Sequence, residues 1–205
     1  KNTRNVFNIR ASYADEAEQL VQHLATVGIK RIAIVYQNNA FGKEVFNATQ
    51  QAITRYKLEA IATLTVENDA SDAESAAKKI AASAPEAVLV GLAGKPTIAF
   101  VKAVRQERKG LQLYALSIMG SAATIATLGG DATGMTISQI VPLPSNMSRP
   151  LVREFQAAWK AGNAALEPSH LALEGYINAR VFAEVLRRAG RQHQRHFNGL
   201  PSPGP

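Results

Sequence analysis

Apolar residues along this chain follow two alternating periods. Across 12–28, Ala17, Leu20, Val21 and Leu24 fall at helical spacing. Ser12 stands where a helix cap is needed, Asp15, Glu16 and Glu18 suit the positive end of the helix, and Gly28 ends the run. The next apolar stretch, RIAIVY at 31–36, is short, continuous and rich in β-branched residues, which predicts a buried strand. Asn38 and Asn39 mark a polar turn. A helix is then expected over 41–56, burying Val45, Phe46, Thr49 and Ile53.

The alternation repeats. Further strands are expected near 58–66, 86–92, 112–117 and 135–141. Between them, helices are expected over 72–83, 95–109 and 121–128. In the first of these Ala76, Ala77, Ile80 and Ala81 face inward, and in the second Ile98, Val101, Lys102 and Arg105 are spaced over several turns. Strands that alternate with helices imply an α/β fold with a parallel sheet covered on both faces. The right-handed crossover rule then favours a doubly wound, mainly parallel five-stranded sheet of order 2-1-3-4-5.

The pattern changes at Val141. Pro142, Pro144 and Pro150 punctuate a linker over 142–150. Two helices follow with no strand between them. The first, 151–161, is expected to bury Leu151, Val152, Phe155, Ala158 and Trp159; the second, 169–189, to bury Leu173, Tyr176, Ile177, Val181, Phe182 and Val185. The last stretch lacks periodicity and carries Pro201, Pro203 and Pro205, so residues 191–205 are expected to be disordered.

Composition narrows the chemistry. The chain has 205 residues and no cysteine, which excludes disulfides, thiolate metal sites and a cysteine nucleophile. Its net charge of +7 raises the question of nucleic acid. Much of that excess is local: the stretch from Arg187 onward adds Arg188, Arg191 and Arg195 and no acid, and without it 19 basic residues face 16 acidic ones. No nucleic-acid partner is expected. No apolar stretch reaches the roughly 20 residues that a membrane span needs.

Catalytic constellations are missing from the sequence. There is no GxGxxG after a strand, no GxxxxGK[ST] and no GxSxG. His193 and His196 have a metal-like spacing but sit in the proline-rich tail. Glu67, Asp69, Asp72 and Glu74 cluster ahead of a helix, where capping by Ser71 or Asp72 explains them. No enzyme activity, cofactor or metal is expected. In an open α/β sheet, ligands bind beyond the carboxyl ends of the strands. Those ends are 37–41, 91–96 and 117–121, each combining small or polar residues with a helix start.

Five segments resemble a known family. RIAIVYQNNAFGKEVFNATQQAI at 31–53 is similar to the first strand, loop and helix of the second lobe of periplasmic leucine/isoleucine/valine-type solute-binding proteins. VFNIRASYADEAEQLVQHL at 6–24 resembles the segment leading into that lobe. AVLVGLAGKPTIAFVKAVRQ at 87–106, LGGDATGMTISQIVPLP at 128–144 and LEGYINARVFAEVLRRAG at 173–190 follow in the family's order.

The resemblance implies an organisation. Residues 1–11 would be a crossing segment, 12–141 a ligand-binding lobe and 142–150 a second crossing. Residues 151–190 would be helices that normally pack on a first lobe lying upstream. It implies export to the periplasm, hinge closure around a solute, and delivery to a membrane permease of an ABC transporter. The ligand contacts it implies are Phe41, Ala93, Gly94, Ser117 and Ser121. Phe41 stands where the family often has Tyr; the turn 92–94 has no aromatic residue, and 117–121 has no acid to meet an ammonium group. The resemblance implies a branched-chain or other amino acid as solute, whereas these departures favour an aromatic or aliphatic carboxylate or a small amide. A ligand-sensing regulatory module of the same fold is the alternative, and a Rossmann-like enzyme a third. Exposed apolar helix faces would also allow a homodimer.

Overall fold

A computed structural model describes residues 7–162 and 167–190. The tail expected to be disordered, with His193 and His196, lies outside these residues. The chain divides into two compact units, 1–140 and 141–205.

The first unit runs α1 (Tyr13–Thr26), β1 (Arg31–Gln37), α2 (Ala40–Arg55), β2 (Glu59–Val66), α3 (Ala73–Ala82), β3 (Ala87–Gly91) and α4 (Lys95–Glu107). It continues with β4 (Gln112–Ala115), a 3-10 turn (Ser117–Met119), α5 (Ala122–Leu128), a second 3-10 turn (Gly129–Ala132) and β5 (Met135–Ile137). The five strands form a wholly parallel sheet in the order β2-β1-β3-β4-β5. This is the doubly wound arrangement that the alternation predicts.

Period-two alternation sorts the strand residues onto two cores. Ala33, Val35, Val88, Val90, Leu113 and Ala115 face α3 and α4, where Ile80, Phe100, Val101 and Val104 are fully buried. Ile32, Ile34, Ala87, Leu89 and Tyr114 face α1 and α2, against Leu20, Val21, Leu24, Val45 and Ile53. Burial of each large aliphatic side chain is worth roughly 1.5–3 kcal/mol, so the layers hold by area. β4 and β5 are shorter than the apolar runs suggest. β4 stops at Ala115, because the backbone turns into the 3-10 helix at Ser117. β5 ends at Ile137, because the chain departs after Ser138 donates its N–H to the Ala115 carbonyl.

Polar residues tie the layers at their ends. Ser12 and Asp15 form a reciprocal capping box on α1, and those hydrogen bonds hold the Asp15 carboxyl below its ordinary pKa. Asp72 occupies the cap position of α3, but its carboxylate accepts from the Glu67 N–H instead of a helix amide. Asp69 accepts from the Ser71 N–H. The capping expected from Ser71 or Asp72 is thus replaced by loop bonds. Arg105, 8% exposed, donates to the carbonyls of Asp131, Lys109, Leu111 and Thr133, which pins α4 to the second 3-10 turn.

The second unit holds α6 (Pro150–Gly162) and α7 (His170–Ala189). Val152, Phe155 and Leu173 are buried, with Trp159, Tyr176 and Ile177 packed around them. Beyond Ile177 the outcome differs from the periodicity. Val181, Phe182 and Val185 are 38%, 64% and 56% exposed. Helical spacing marks an apolar stripe but cannot say what meets it. Ala158 is exposed too. Among the described residues no helix is long and apolar enough to cross a membrane.

One acid-sensitive tie sits at the amino edge of the sheet. The Glu86 carboxylate accepts from the N–H groups of Lys30 and Arg31, at 2.9 and 2.7 Å, and these bonds lower its pKa. A carboxyl whose folded pKa is depressed adds stability above its unfolded pKa, and that stability is lost as pH falls through the folded value. Urea midpoints recorded from pH 6 downward are expected to fall below about pH 4.3, and less steeply in Glu86→Gln. Parallel curves for the two proteins would show that this contact carries none of the acid sensitivity.

Candidate functional site

The strand order reverses between β1 and β3, and the crevice beyond their carboxyl ends is where open α/β sheets take ligands. Gln37, the last residue of β1, spans that point. Its Oε1 accepts from the Ala93 N–H at 3.0 Å, and its Nε2 donates to Asn68 Oδ1 at 2.8 Å. Asn39 donates to the same Asn68 oxygen and caps α2 by accepting from the Gly42 N–H. Asn38 donates to Glu67. Three loops from three strands are thus held by amide side chains. Gly42 allows this closeness: a Cβ there would lie 1.9 Å from the Gln37 carbonyl oxygen.

The turn after β3 carries the next two candidates. The Ala93 amide is engaged by Gln37. Gly94 takes φ 62° and ψ −130°, a region reserved for glycine, and starts α4 without a side-chain cap. Within the first turn of α4, Thr97 is fully buried, and its Oγ1 has no hydrogen-bond partner.

Phe41 sits in the first turn of α2, half-buried. Its ring meets Tyr13 edge to face at 4.9 Å between centroids. The Arg10 guanidinium lies 5.0 Å from the centre of the Tyr13 ring. An aromatic corner beside a cation therefore stands at the carboxyl end of the sheet.

The Ser117 hydroxyl accepts from Arg10 at 2.9 Å and donates to Glu16 at 3.0 Å, and its N–H donates to Glu16 at 2.7 Å. Ser121 caps α5 through the Thr124 N–H and shares a second bond with the Thr124 hydroxyl. The structure therefore brings Phe41, Ala93, Gly94, Ser117 and Ser121 to one end of the sheet, with most of their polar groups already paired within the protein.

Gln37 falls within the candidate segment 37–41 but is not singled out by the sequence, and Glu16, Asn68, Arg10 and Ser138 lie outside the candidate segments. Glu16 left one sign: at helical spacing it aligns with Leu20 and Leu24, so a carboxylate lies on the buried stripe. Gln37 directly continues a buried strand. Asn68, Arg10 and Ser138 gave no signal.

A groove of about 390 Å³ lies elsewhere, in the second unit, lined by Leu151, Ile177, Val181 and Val185 with Arg180, Glu184 and Arg188 at its rim. Its charged groups already pair, Arg180 with Glu154 and Glu184 with Arg187 and Arg188. It lacks convergent polar groups to orient a solute, so the sheet's carboxyl end is the stronger candidate. Among the described residues no group of acids or histidines could hold a metal ion.

The sequence profile of a periplasmic binding protein family matches residues 1–198. The chain belongs to that family. Family and fold are those of solute-binding proteins, not of enzymes. Similar solved structures include an extracellular ligand-binding receptor from Verminephrobacter eiseniae, 30% identical with a TM-score of 0.78, covering 87% of this chain and 51% of that one. A substrate-binding periplasmic protein from Ralstonia solanacearum is also 30% identical, with a TM-score of 0.75 and coverage of 90% and 53%. A possible leucine/isoleucine/valine-binding protein from Rhodopirellula baltica is 29% identical, with a TM-score of 0.75 and coverage of 86% and 49%. The chain thus spans about half the length of these periplasmic binding proteins. A search of curated protein sequences gave no match.

The close seat of α2 on β1 is testable. Gly42→Ala is expected to lower stability by roughly 2–3 kcal/mol, because backbone and not a flexible side chain must yield. Gly130→Ala, where a Cβ meets nothing within 4 Å, serves as the control. Equal urea midpoints for the two variants would refute the proposed contact.

Proposed function

We propose that this chain is one lobe of a periplasmic solute receptor of an ABC-type uptake system. Its solute is an amino acid or a related small carboxylate or amide, closed between two lobes by a hinge motion and handed to a membrane permease. Residues 12–141 form the binding lobe, with crossing segments at 1–11 and 142–150, and residues 151–190 are helices that pack on the other lobe. The observation that carries this reading is the Arg10–Tyr13–Phe41 corner beside the switch point. The Tyr13 and Phe41 rings suit the apolar body of a small solute, while the Arg10 guanidinium, engaged by Glu16 and Ser117, braces that corner. The name of one relative, a possible leucine/isoleucine/valine-binding protein, supports the amino-acid part of the solute class.

Each candidate has a part in this reading. Phe41 covers the apolar portion of the solute. The turn at Ala93 and Gly94 presents the start of α4, and Ser117 and Ser121 shape the far side. The Ser117 hydroxyl uses its proton and one lone pair within the protein, which leaves one lone pair for a donor on the solute. The exposed apolar stripe of α7, with Phe182 and Val185, gives the isolated chain a surface for homodimer formation.

Calorimetry on the full-length protein with branched-chain amino acids, aromatic carboxylates and small amides tests the proposal. At least one class is expected to bind, and Phe41→Ala to weaken it by about 1–3 kcal/mol. The isolated chain should bind far more weakly, since one wall cannot bury most of a small ligand. Undiminished affinity in Phe41→Ala, with lowered stability instead, would assign the ring to the core.

A further inference from the structure

We infer that Glu16 is a positioning residue that fixes, from one buried carboxylate, both chain connections of the α/β lobe. The inference rests on the two-lobe reading above, because only a hinged receptor needs its two connections held together.

Glu16 is 4% exposed, on the first turn of α1. Its Oε1 accepts from Arg10 at 3.0 Å and from the Ser117 hydroxyl at 3.0 Å. Its Oε2 accepts from the Ser117 N–H at 2.7 Å and from the Ser138 hydroxyl at 2.6 Å. Arg10 lies on the crossing segment that leads into the lobe, and Ser138 directly after β5, on the stretch 138–141 that feeds the exit crossing at 142–150. Ser117 and Ser138 are 101 and 122 residues from Glu16 along the chain. One side chain thus joins the lead-in, the exit and the end of β4.

The exit has little other support. β5 has three residues and pairs with β4 alone. After it, Ser138 donates its N–H to the Ala115 carbonyl and its hydroxyl to Glu16. Close by, a Cβ at Gly120 would lie 2.9 Å from Gln139 Nε2 and 3.3 Å from Ile137 Cγ2, so the β4–α5 loop is packed against the exit. The lead-in is held through Arg10, whose guanidinium also lies over Tyr13. A carboxylate fills this place because all four contacts are donors. In either orientation an amide would turn one proton toward a group that can only donate, the Arg10 guanidinium or the Ser117 N–H. A helix-dipole role alone would not require burial or partners so distant in sequence.

The test measures motion of the whole chain without solute, so failure of the receptor reading in calorimetry leaves its outcome interpretable. Backbone ¹⁵N order parameters are compared at 8–11 and 138–140. In the unmodified protein both stretches are expected to be as ordered as the sheet. In Glu16→Ala both should loosen together, while α1 and β1 stay ordered. Glu16→Gln, which keeps the volume, should do the same if Glu16→Ala folds poorly. Ser138→Ala should loosen the exit alone. The inference is overturned if folded Glu16→Gln keeps either connection at its original order. It is overturned equally if Ser138→Ala leaves the exit unchanged, or if Glu16 variants loosen the sheet evenly.

Discussion

Taking a carboxylate out of water costs several kcal/mol unless the fold replaces the hydrogen bonds that water made. Glu16 has all four replaced, by Arg10, by Ser117 twice and by Ser138. The arrangement is strict: no donor can be lost without exposing part of a buried charge. It therefore sets where the lead-in, the end of β4 and the exit after β5 must lie. The hydrophobic layers make a stable sheet, but area is non-directional and would tolerate small shifts of these ends. The carboxylate supplies the direction.

A second polar device works at the strand-order switch. Gln37 crosses from β1 to the turn after β3 and to the loop after β2, and Asn39 meets Gln37 at Asn68. Both devices lie at the carboxyl end of one sheet. Together they hold several loops in place. For the solute site proposed at this end of the sheet, pre-ordered loops lower the entropy that binding must overcome. The Tyr13–Phe41 pair then stands on rigid supports, one on α1 and one on α2.

The layers of this lobe were legible because they depend on local periodicity. RIAIVY at 31–36 is short and rich in β-branched residues, which favours a buried strand over a helix, and the apolar spacing after it marks an amphipathic helix. The ends of the elements were less legible. The β-branched residues of MTISQIV suggest a strand as far as Val141, but pairing stops at Ile137 where the chain leaves the sheet. On α7, Val181, Phe182 and Val185 satisfy a helical stripe, yet spacing cannot reveal whether another surface covers it. The site showed the same division. Loops at strand ends could be named, because topology places them. The network that holds them could not, since Gln37 with Asn68 and Glu16 with Ser138 join residues far apart in sequence. Ser117 was read as a group offered to solute, but its N–H and its proton are committed to Glu16.

Amide hydrogen exchange on the full-length protein, with and without a saturating solute, decides whether the carboxyl end of this sheet is one wall of the solute site. Added protection is expected at 38–42 and 92–97, with the amino ends of the strands near Lys30 and Glu86 unchanged. Added protection confined to α6 and α7, or to those amino ends, would contradict this placement of the site.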